Sequence, residues 1–297
     1  MIEVAIFSYN RHFYLKNALH SVQRNVSDVR VRIYDDGSDQ SEMKKFLAEN
    51  SDLVGARLKG LDSKHGGLYT NMQSALDEAQ EDYLLLMQDD TQIVRKMERD
   101  DLEAINRAFE VFPTAAFLSV MFLKGEKKRR YKRVLRADGE NQLYRSKSLE
   151  DGVVQSYYDV VLCNVPRLRA AGWKFENTEV ANMKKARELF GEMPIMRNHL
   201  MFLCPEVPFF RDRRQSLAAR IIAKRRKENP IFHDMTAEAV AKLKGRALGV
   251  FPYAEDWLNP TLQGLRRPFV FKDVKANLWL NLLYAIETKL LDRKSVV

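Results

Sequence analysis

The chain has 297 residues, of which 45% are hydrophobic, so it can bury a large core and disorder of the whole chain is excluded. It contains two cysteines, Cys163 and Cys204, which excludes a disulfide framework and favours a reducing compartment. No apolar run approaches the ~20 residues that a membrane-spanning helix requires, and the opening residues lack the pattern of a secretory signal. We therefore expect a cytoplasmic protein.

The net charge of +9 is unevenly distributed along the chain. Residues 1–110 hold 14 basic and 20 acidic side chains, which leaves 35 basic and 20 acidic side chains for the remainder. The basic part could attract an anionic partner such as a phosphorylated substrate, a membrane surface or nucleic acid. The alternative is a solvated, lysine-rich surface without a binding role.

Strand and helix patterns alternate through the first 123 residues. The predicted strands cover 2–7, 29–34, 53–58, 83–87 and 116–122, and the predicted helices cover 15–22, 41–50, 69–79 and 100–112. This alternation predicts an α/β fold with a mostly parallel sheet flanked by helices. Ligands bind beyond the carboxyl ends of the strands in such sheets.

The second part of the chain has a weaker pattern. Residues 124–150 are polar and basic and predict a long loop or a β-hairpin, whereas 156–162 predicts a strand and 182–190 a helix. Residues 211–227 form a second basic segment, which is predicted to be helical. An apolar stripe from Trp279 to Leu290 predicts a helix that docks on the domain. The alternative is a helix that rests on a membrane surface.

Two acidic clusters follow predicted strands. The first is Asp35-Asp36-Gly37-Ser38-Asp39, whose carboxylates could accept hydrogen bonds from a base or from ribose hydroxyls. Asp and Ser also favour turns because they bond to their own backbone, so a capped turn is the alternative.

The second cluster, Gln88-Asp89-Asp90, follows an apolar strand directly. Two adjacent acids at the end of a buried strand are costly unless a cation compensates them. Mg²⁺ and Mn²⁺ prefer such oxygen ligands. An exposed acid pair without a ligand is the alternative.

Four segments resemble the landmarks of family-2 glycosyltransferases in order and spacing. They are Val4-Ala5-Ile6-Phe7-Ser8-Tyr9-Asn10-Arg11, Tyr34-Asp35-Asp36-Gly37-Ser38-Asp39, the stretch 67–79 and Leu84-Leu85-Leu86-Met87-Gln88-Asp89-Asp90. The resemblance is good over residues 2–123 and loose over the rest. It implies a GT-A fold, a nucleotide-sugar donor that is UDP-linked, Mn²⁺ or Mg²⁺ as cofactor, and inversion at the anomeric carbon.

The resemblance also implies roles for individual residues. The nucleotide-sugar site would contain Ser8, Tyr9, Arg11, Asp35, Asp36, Asp39, Asn71 and Asp89, and the metal would be held by Asp90 and Asp89. His233 is a further candidate metal ligand or pyrophosphate contact, and a structural histidine in a loop is the alternative. Gln88 stands where the family has the first acid of its Asp-x-Asp motif, which leaves the division of labour between Asp89 and Asp90 open.

An inverting transfer needs a carboxylate that deprotonates the acceptor hydroxyl. The family places it beyond a glycine-rich turn, which corresponds here to the stretch 171–179, so Glu179 is the first candidate and Glu176 the second. The alternative for Glu179 is that it only begins a helix, where acids favour the dipole. The Gln-x-x-Arg-Trp signature of processive synthases is absent, which favours transfer of one sugar per encounter.

These inferences together predict a GT-A catalytic domain over 1–210, with a nucleotide-sugar half over 1–123 and an acceptor half over 124–210. A basic, mainly helical extension would cover 211–297. The acceptor would be a hydroxyl on a glycan or lipid-linked glycan, with peripheral contact at the inner face of the membrane as an open alternative.

Two rival functions carry different signatures. A nucleotidyltransferase normally has a glycine-rich basic loop after its first strand, and Ser8-Tyr9-Asn10-Arg11 lacks those glycines. The other rival is a non-enzymatic basic module that binds nucleic acid or a membrane. Tyr131 is the one aromatic residue within the basic clusters 124–136 and 211–227, which argues against a stacking surface for nucleic acid.

Overall fold

The computed structural model describes residues 2–55, 67–147, 155–205, 207, 210–211, 214–225, 229–265, 269 and 277–294. The strands are β1 (Ile2–Ser8), β2 (Arg30–Asp35), β3 (Tyr83–Gln88), β4 (Thr91–Ile93), β5 (Phe117–Leu118), β6 (Leu135–Asp138), β7 (Leu143–Ser146), β8 (Val161–Asn164), β9 (Ile195–Met196), β10 (Met201–Leu203), β11 (Phe210–Arg211) and β12 (Arg214–Gln215). The α-helices are α1 (His12–Asn25), α2 (Ser41–Glu49), α3 (Gly67–Glu78), α4 (Arg99–Val111), α5 (Lys128–Val134), α6 (Val165–Ala170), α7 (Glu179–Phe190), α8 (Leu217–Arg225), α9 (Ala237–Gly245), α10 (Ala254–Trp257) and α11 (Leu278–Lys294).

A five-stranded sheet in the order β2-β1-β3-β8-β5 forms the centre of the fold. Strand β1 pairs in parallel with β2 and β3, whereas β8 pairs antiparallel with both β3 and β5. Four of the five strands therefore run in one direction, and the predicted α/β fold with a mostly parallel sheet is confirmed. The reversed β8 begins beside the carboxyl end of β3.

The side chains of β1 alternate between two hydrophobic layers. Val4 and Ile6 pack with α1 and α4 on one face of the sheet, and Ala5 and Phe7 pack with α3 and α7 on the other. All of β1 is buried, as expected for a central strand covered on both faces. This packing fixes the carboxyl ends of β1, β2 and β3 along one edge.

The structure corrects several predicted boundaries. The predicted strand over 116–122 is ordered as a strand only in β5, after which Ser119, Met121 and Leu123 each bridge a different segment. The predicted strand over 156–162 begins only at Val161. Of the predicted strand over 53–58, Val54 bridges β2, and 56–58 lie outside the described residues.

The polar and basic segment that begins at residue 124 contains both a helix and a hairpin. Helix α5 was not predicted, whereas the β6–β7 hairpin agrees with one of the two alternatives. Residues 148–150 lie outside the described part.

Helix α11 docks on α8, as one of the two alternatives predicted. Most of the residues that make this contact are not those of the predicted apolar stripe. Leu280, Leu283 and Tyr284 pack with Ala218, Ala219 and Ile222 of α8. Trp279 is 81% exposed, and Leu282 and Ile286 are also exposed. Within the described residues, no helix has the length and apolar character needed to cross a membrane.

Two arginines connect secondary-structure elements through hydrogen bonds to backbone carbonyls. Arg167 donates to the carbonyl oxygens of Phe109, Phe112 and Ala115 at the end of α4. Arg169 donates in the same way to the end of α3, where the helix leaves carbonyls without intrahelical partners. Part of the positive charge of the second half is therefore structural.

Candidate functional site

The two acidic clusters meet at the carboxyl end of β1. The backbone N–H of Asp36 donates to the Ser8 carbonyl at 2.9 Å, and the backbone N–H of Asp89 donates to the Phe7 carbonyl at 2.9 Å. These bonds place the ends of β2 and β3 on either side of the end of β1. The acids that the sequence singled out are thus neighbours in space.

Asp35 builds the turn after β2. Its carboxylate accepts hydrogen bonds from the backbone N–H of Gly37 at 3.0 Å, and from the backbone N–H and hydroxyl of Ser38 at 2.7 and 2.5 Å. This is the capped turn that the sequence offered as an alternative. The exposed Asp39 accepts a hydrogen bond from the Asn10 side chain at 2.7 Å.

Asn10 connects this turn to the loop after β1. It has a φ of 51°, a conformation that Asn tolerates better than most residues, and it is buried. Its side-chain oxygen accepts from the backbone N–H of Asp39 and of Gln40. Sequence reasoning did not include Asn10 among the site residues, although it stands inside the first motif.

Asp36 lies against the first residue of α3. A Cβ atom on Gly67 would lie 1.6 Å from the Asp36 carboxylate oxygen Oδ1, so any other residue there would require this carboxylate to move. The amino end of a helix favours a nearby negative charge. Asn71, one turn later on the same helix face, is buried. The structure therefore brings Asp36 and the helix that carries Asn71 together.

Asp89 and Asp90 are bound by the loop after β1. Asp89 accepts from the Ser8 hydroxyl at 2.9 Å and from the Tyr9 backbone N–H at 3.3 Å. The Arg11 nitrogen Nη1 donates to Asp89 Oδ1 at 2.9 Å and to Asp90 Oδ2 at 2.7 Å. Asp89 is 2% exposed and Asp90 is fully buried. Burial raises the pKa of Asp89 to about 6, against the opposing effect of Arg11.

The predicted metal ligands do not assemble as a trio. His233 is exposed and its backbone N–H donates to the Asn259 carbonyl. Across the described ranges, no group of three or more His, Cys, Asp or Glu side chains could hold a metal ion. Asp90 Oδ1 is buried without a hydrogen-bond partner among those residues, which would suit a cation. Arg11, however, already lies between the two carboxylates, so as arranged they do not fit a shared divalent ion.

A cleft opens beside these acids. One cavity of about 340 Å³ extends from the end of β3, and a second of about 230 Å³ adjoins it through shared lining residues. The polar lining of the two cavities consists of Gln88, Ser119, Lys124, Lys127, Arg130, Tyr131, Gln155, Tyr157, Tyr158, Asp159 and Glu179. Two carboxylates therefore share this cleft with three basic side chains.

Glu179 both begins a helix and lines the cleft. It is the first residue of α7, with Thr178 as the N-cap that accepts from the Ala181 backbone N–H at 3.1 Å. Its exposed side chain contributes to both cavities. Glu176 instead bonds to Lys185 Nζ at 2.8 Å and is not among the described residues that line either cavity.

Asp159 is a cleft residue that sequence reasoning missed. The Tyr69 hydroxyl donates to its Oδ2 at 3.0 Å. Burial, and then the charge of Glu179, raise the pKa of Asp159 to about 6. A lone acid within the apolar run before β8 was the available signal. The antiparallel register, with Leu86 opposite Val161, places Asp159 beside the end of β3.

The family model "Glycosyl transferase family 2" matches residues 3–188. No curated protein matches the chain. Among solved structures, residues 1–349 of S. aureus TarS are 13% identical with a TM-score of 0.47, and the match covers 68% of this chain and 60% of that one.

The same S. aureus protein in complex with UDP-GlcNAc gives 13% identity and a TM-score of 0.47, with coverage of 68% and 57%. The mannosyltransferase PcManGT from Pyrobaculum calidifontis, in complex with GDP-Man and Mn²⁺, gives 14% identity and a TM-score of 0.42, with coverage of 66% and 53%. The match thus spans less than two thirds of each of these chains.

The family match extends over more than half of the chain and includes the acids at the ends of β2 and β3 as well as Glu179. The chain belongs to glycosyl transferase family 2. Its mostly parallel sheet flanked by helices is the GT-A fold that the resemblance of its four N-terminal segments implied.

Proposed function

We propose that this glycosyltransferase moves a sugar from a UDP-linked donor to a hydroxyl group of a glycan or lipid-linked glycan, with inversion. The observation that carries the proposal is the position of Glu179 in a cleft that begins at the end of β3. The acids that follow β2 and β3 lie at the same edge of the sheet, next to this cleft. A donor held there would present its sugar toward the cleft.

The nucleoside would bind where the loops after β1 and β2 meet the start of α3. Asp36 is half-buried beside Gly67, and its carboxylate can accept hydrogen bonds from a base or a ribose. Asp35, Asp39 and Asn10 fix the loops on which this contact depends. Tyr9 belongs to the same loop and is half-exposed.

Glu179 would act as the general base. As the acceptor oxygen attacks the anomeric carbon, its proton passes to the Glu179 carboxylate, and the bond between that carbon and the diphosphate breaks. The nucleoside diphosphate leaves with the bonding electron pair. General-base catalysis of this kind contributes typically ~10²–10⁴-fold to the rate. Asp159, held by Tyr69, would orient the acceptor beside this base.

The cations of the cleft support an acceptor that carries negative charge. Lys124, Lys127 and Arg130 line the cleft, and positive charges that line a cleft raise the local concentration of an anionic substrate. The exposed Trp279 and Leu282 of α11 support peripheral contact with a membrane that presents a lipid-linked acceptor. Co-sedimentation with anionic vesicles tests this contact, and recovery of all protein in the supernatant would contradict it.

The sequence also predicts Mn²⁺ or Mg²⁺ at Asp89 and Asp90. When bound, such an ion would neutralise charge on the departing diphosphate. Because Arg11 occupies the space between these carboxylates, the steps above use only residues of the chain.

The function is tested with a panel of nucleotide sugars. We expect one UDP-sugar to raise the melting temperature, because a ligand that binds the native state stabilises it by mass action. The same donor should release UDP in the presence of acceptor, and Glu179→Gln should retain the thermal shift but lose the release. If no nucleotide sugar shifts the melting temperature or releases its nucleotide, the proposed donor class is wrong.

A further inference from the structure

Asp89, Asp90 and Arg11 form a buried group with one positive and two negative charges. Each carboxylate contributes an oxygen to the same guanidinium nitrogen, at 2.9 and 2.7 Å. Two buried acids side by side are costly unless a cation compensates them or one of them is protonated. In this chain the compensating cation is the guanidinium of Arg11.

The position of Arg11 is fixed by its backbone. Its carbonyl accepts the first hydrogen bond of α1, from the Leu15 N–H at 2.9 Å, so the residue stands at the start of that helix. Ser8 and Tyr9 of the same loop bind Asp89. The loop therefore delivers its hydroxyl, its backbone N–H and its guanidinium to the two acids together.

Exposure differs within this group in a way that matters for a diphosphate. The Arg11 side chain is 17% exposed, whereas those of Asp89 and Asp90 are 3% and 0% exposed. The guanidinium is therefore the most accessible of these three charged groups to an anion that approaches from solvent. Arginine is not deprotonated in proteins and binds phosphate oxygens through its planar set of N–H groups.

Arg11 takes the place between the two acids. Asp89 Oδ1 and Asp90 Oδ2 are bonded to Arg11 Nη1, and Asp89 Oδ2 accepts from Ser8 and Tyr9, so among the described residues only Asp90 Oδ1 of this pair lacks a hydrogen-bond partner. One oxygen is less than the near-octahedral set of ligands that Mg²⁺ demands at about 2.0–2.1 Å. We propose that Arg11 is the resident cation of the donor site, which takes the place of the divalent ion and lets this transferase bind a nucleoside diphosphate without metal. The donor part of this inference rests on the proposed function, whereas the cation part does not.

The first test is Mn²⁺ binding by the free protein, measured as loss of the free-ion signal in electron paramagnetic resonance. We expect wild type to leave Mn²⁺ free and Arg11→Leu to bind about one ion per chain. Adding Asp90→Asn to that variant should abolish the binding. Arg24→Leu is the matched control, since Arg24 lies on α1 in an exposed ion pair with Asp234 and should leave Mn²⁺ free.

Thermal unfolding supplies a second readout on the same proteins. Arg11→Leu should melt at a lower temperature than wild type and recover with Mn²⁺, whereas Arg11→Lys should recover part of the stability without any ion. Stoichiometric Mn²⁺ binding by wild type that Asp90→Asn removes would overturn the proposal. Because that result needs only wild type and Asp90→Asn, it decides the question even when Arg11→Leu fails to fold.

The part of the proposal that concerns the donor is tested by titration calorimetry with UDP as the probe, once in EDTA and once in Mn²⁺. For wild type, we expect the dissociation constant of UDP in EDTA to agree within twofold with that in Mn²⁺. A loss of tenfold or more in EDTA would overturn metal-free binding. If UDP binds under neither condition, the proposed donor class is wrong, and the Mn²⁺ titration still decides which cation belongs to the acids.

Discussion

Acidic side chains are arranged differently on the two sides of the candidate site. At the ends of β1, β2 and β3, Asp35 is bonded to its own turn, and Asp89 and Asp90 are bonded to Arg11. In the cleft, Glu179 is exposed and faces open space with basic side chains on the walls. On the proposed donor side the acids thus hold loops in place, whereas on the proposed acceptor side an acid is exposed to the cleft.

The largest effect is expected from Glu179→Gln, which breaks the acceptor side without touching the fold. Removal of a general base should lower the transfer rate by about 10²–10⁴-fold. Because the side chain is exposed and an acid at a helix start contributes only about 0.3–1 kcal/mol, the melting temperature should change by no more than a few degrees. Steady-state kinetics and thermal unfolding measure the two quantities on one preparation.

Glu176→Gln is the matched control for that change. Glu176 lies three residues earlier and pairs with Lys185, so its loss should leave the transfer rate within about twofold, as expected for an exposed ion pair. Equal rate losses in both variants would contradict the assignment of the base to Glu179.

The free energy of unfolding should depend on pH because Asp159 in the cleft is half-buried. Since burial raises the pKa of Asp159 to about 6, the folded state binds the proton more tightly than the unfolded chain does. The stability from this group is therefore complete below about pH 4 and is lost as the pH rises to about 6. At 1.36 kcal/mol per pKa unit, the loss is on the order of 2–3 kcal/mol.

Asp159→Asn should remove that loss, so the variant should be more stable than wild type at pH 7. Urea unfolding at pH 4, 5, 6 and 7 measures the difference. Asp89 also has a pKa of about 6 and should leave a residual slope over the same range. A variant whose curve parallels that of wild type would show that Asp159 ionises normally.

A smaller effect is expected on the donor side from Gly67→Ala. The new Cβ would meet the Asp36 carboxylate, which must then move away from the start of α3. Overpacking of this kind costs about 1–3 kcal/mol. If displacement of Asp36 removes that much from the donor contact, UDP binding should weaken by roughly 5–150-fold. The rate at saturating donor should change little, because Glu179 is untouched.

Gly139→Ala controls for the general cost of replacing a glycine. Among the residues that the structure describes, none has an atom within 4 Å of the Cβ that Gly139→Ala would add. UDP binding should match that of wild type. Weakened binding in both variants, or in neither, would show that the contact between Gly67 and Asp36 does not determine donor affinity.

The donor side could be predicted from the sequence because its residues follow parallel strands. Apolar runs that end in acids place Asp36 and Asp89 at strand ends, and parallel pairing brings those ends to one edge. What the pattern did not contain was the pairing of the acids with Arg11, since a side-chain contact across 78 residues has no local signal.

The acceptor side was predicted less well for a topological reason. Strand β8 is antiparallel, so the residue that reaches the cleft precedes the strand instead of following it, and Asp159 was read as the interior of a longer strand. Helix α5 was missed because its seven residues are mostly basic and lack an apolar period. Glu179 was found through the family resemblance and not from periodicity.

The smallest effect is expected from Lys127→Ala, which tests whether the cations of the cleft contribute to acceptor binding. Lys127 lines both cavities and is half-exposed, so water and salt screen its charge. With about 0.5–1 kcal/mol from such a charge, the KM for an anionic acceptor should rise roughly two- to fivefold at unchanged kcat. Lys132→Ala removes an exposed charge from α5 that is not among the described lining residues, and should leave KM unchanged. An equal rise in both variants would mean that the net charge of this region, and not its placement in the cleft, attracts the acceptor.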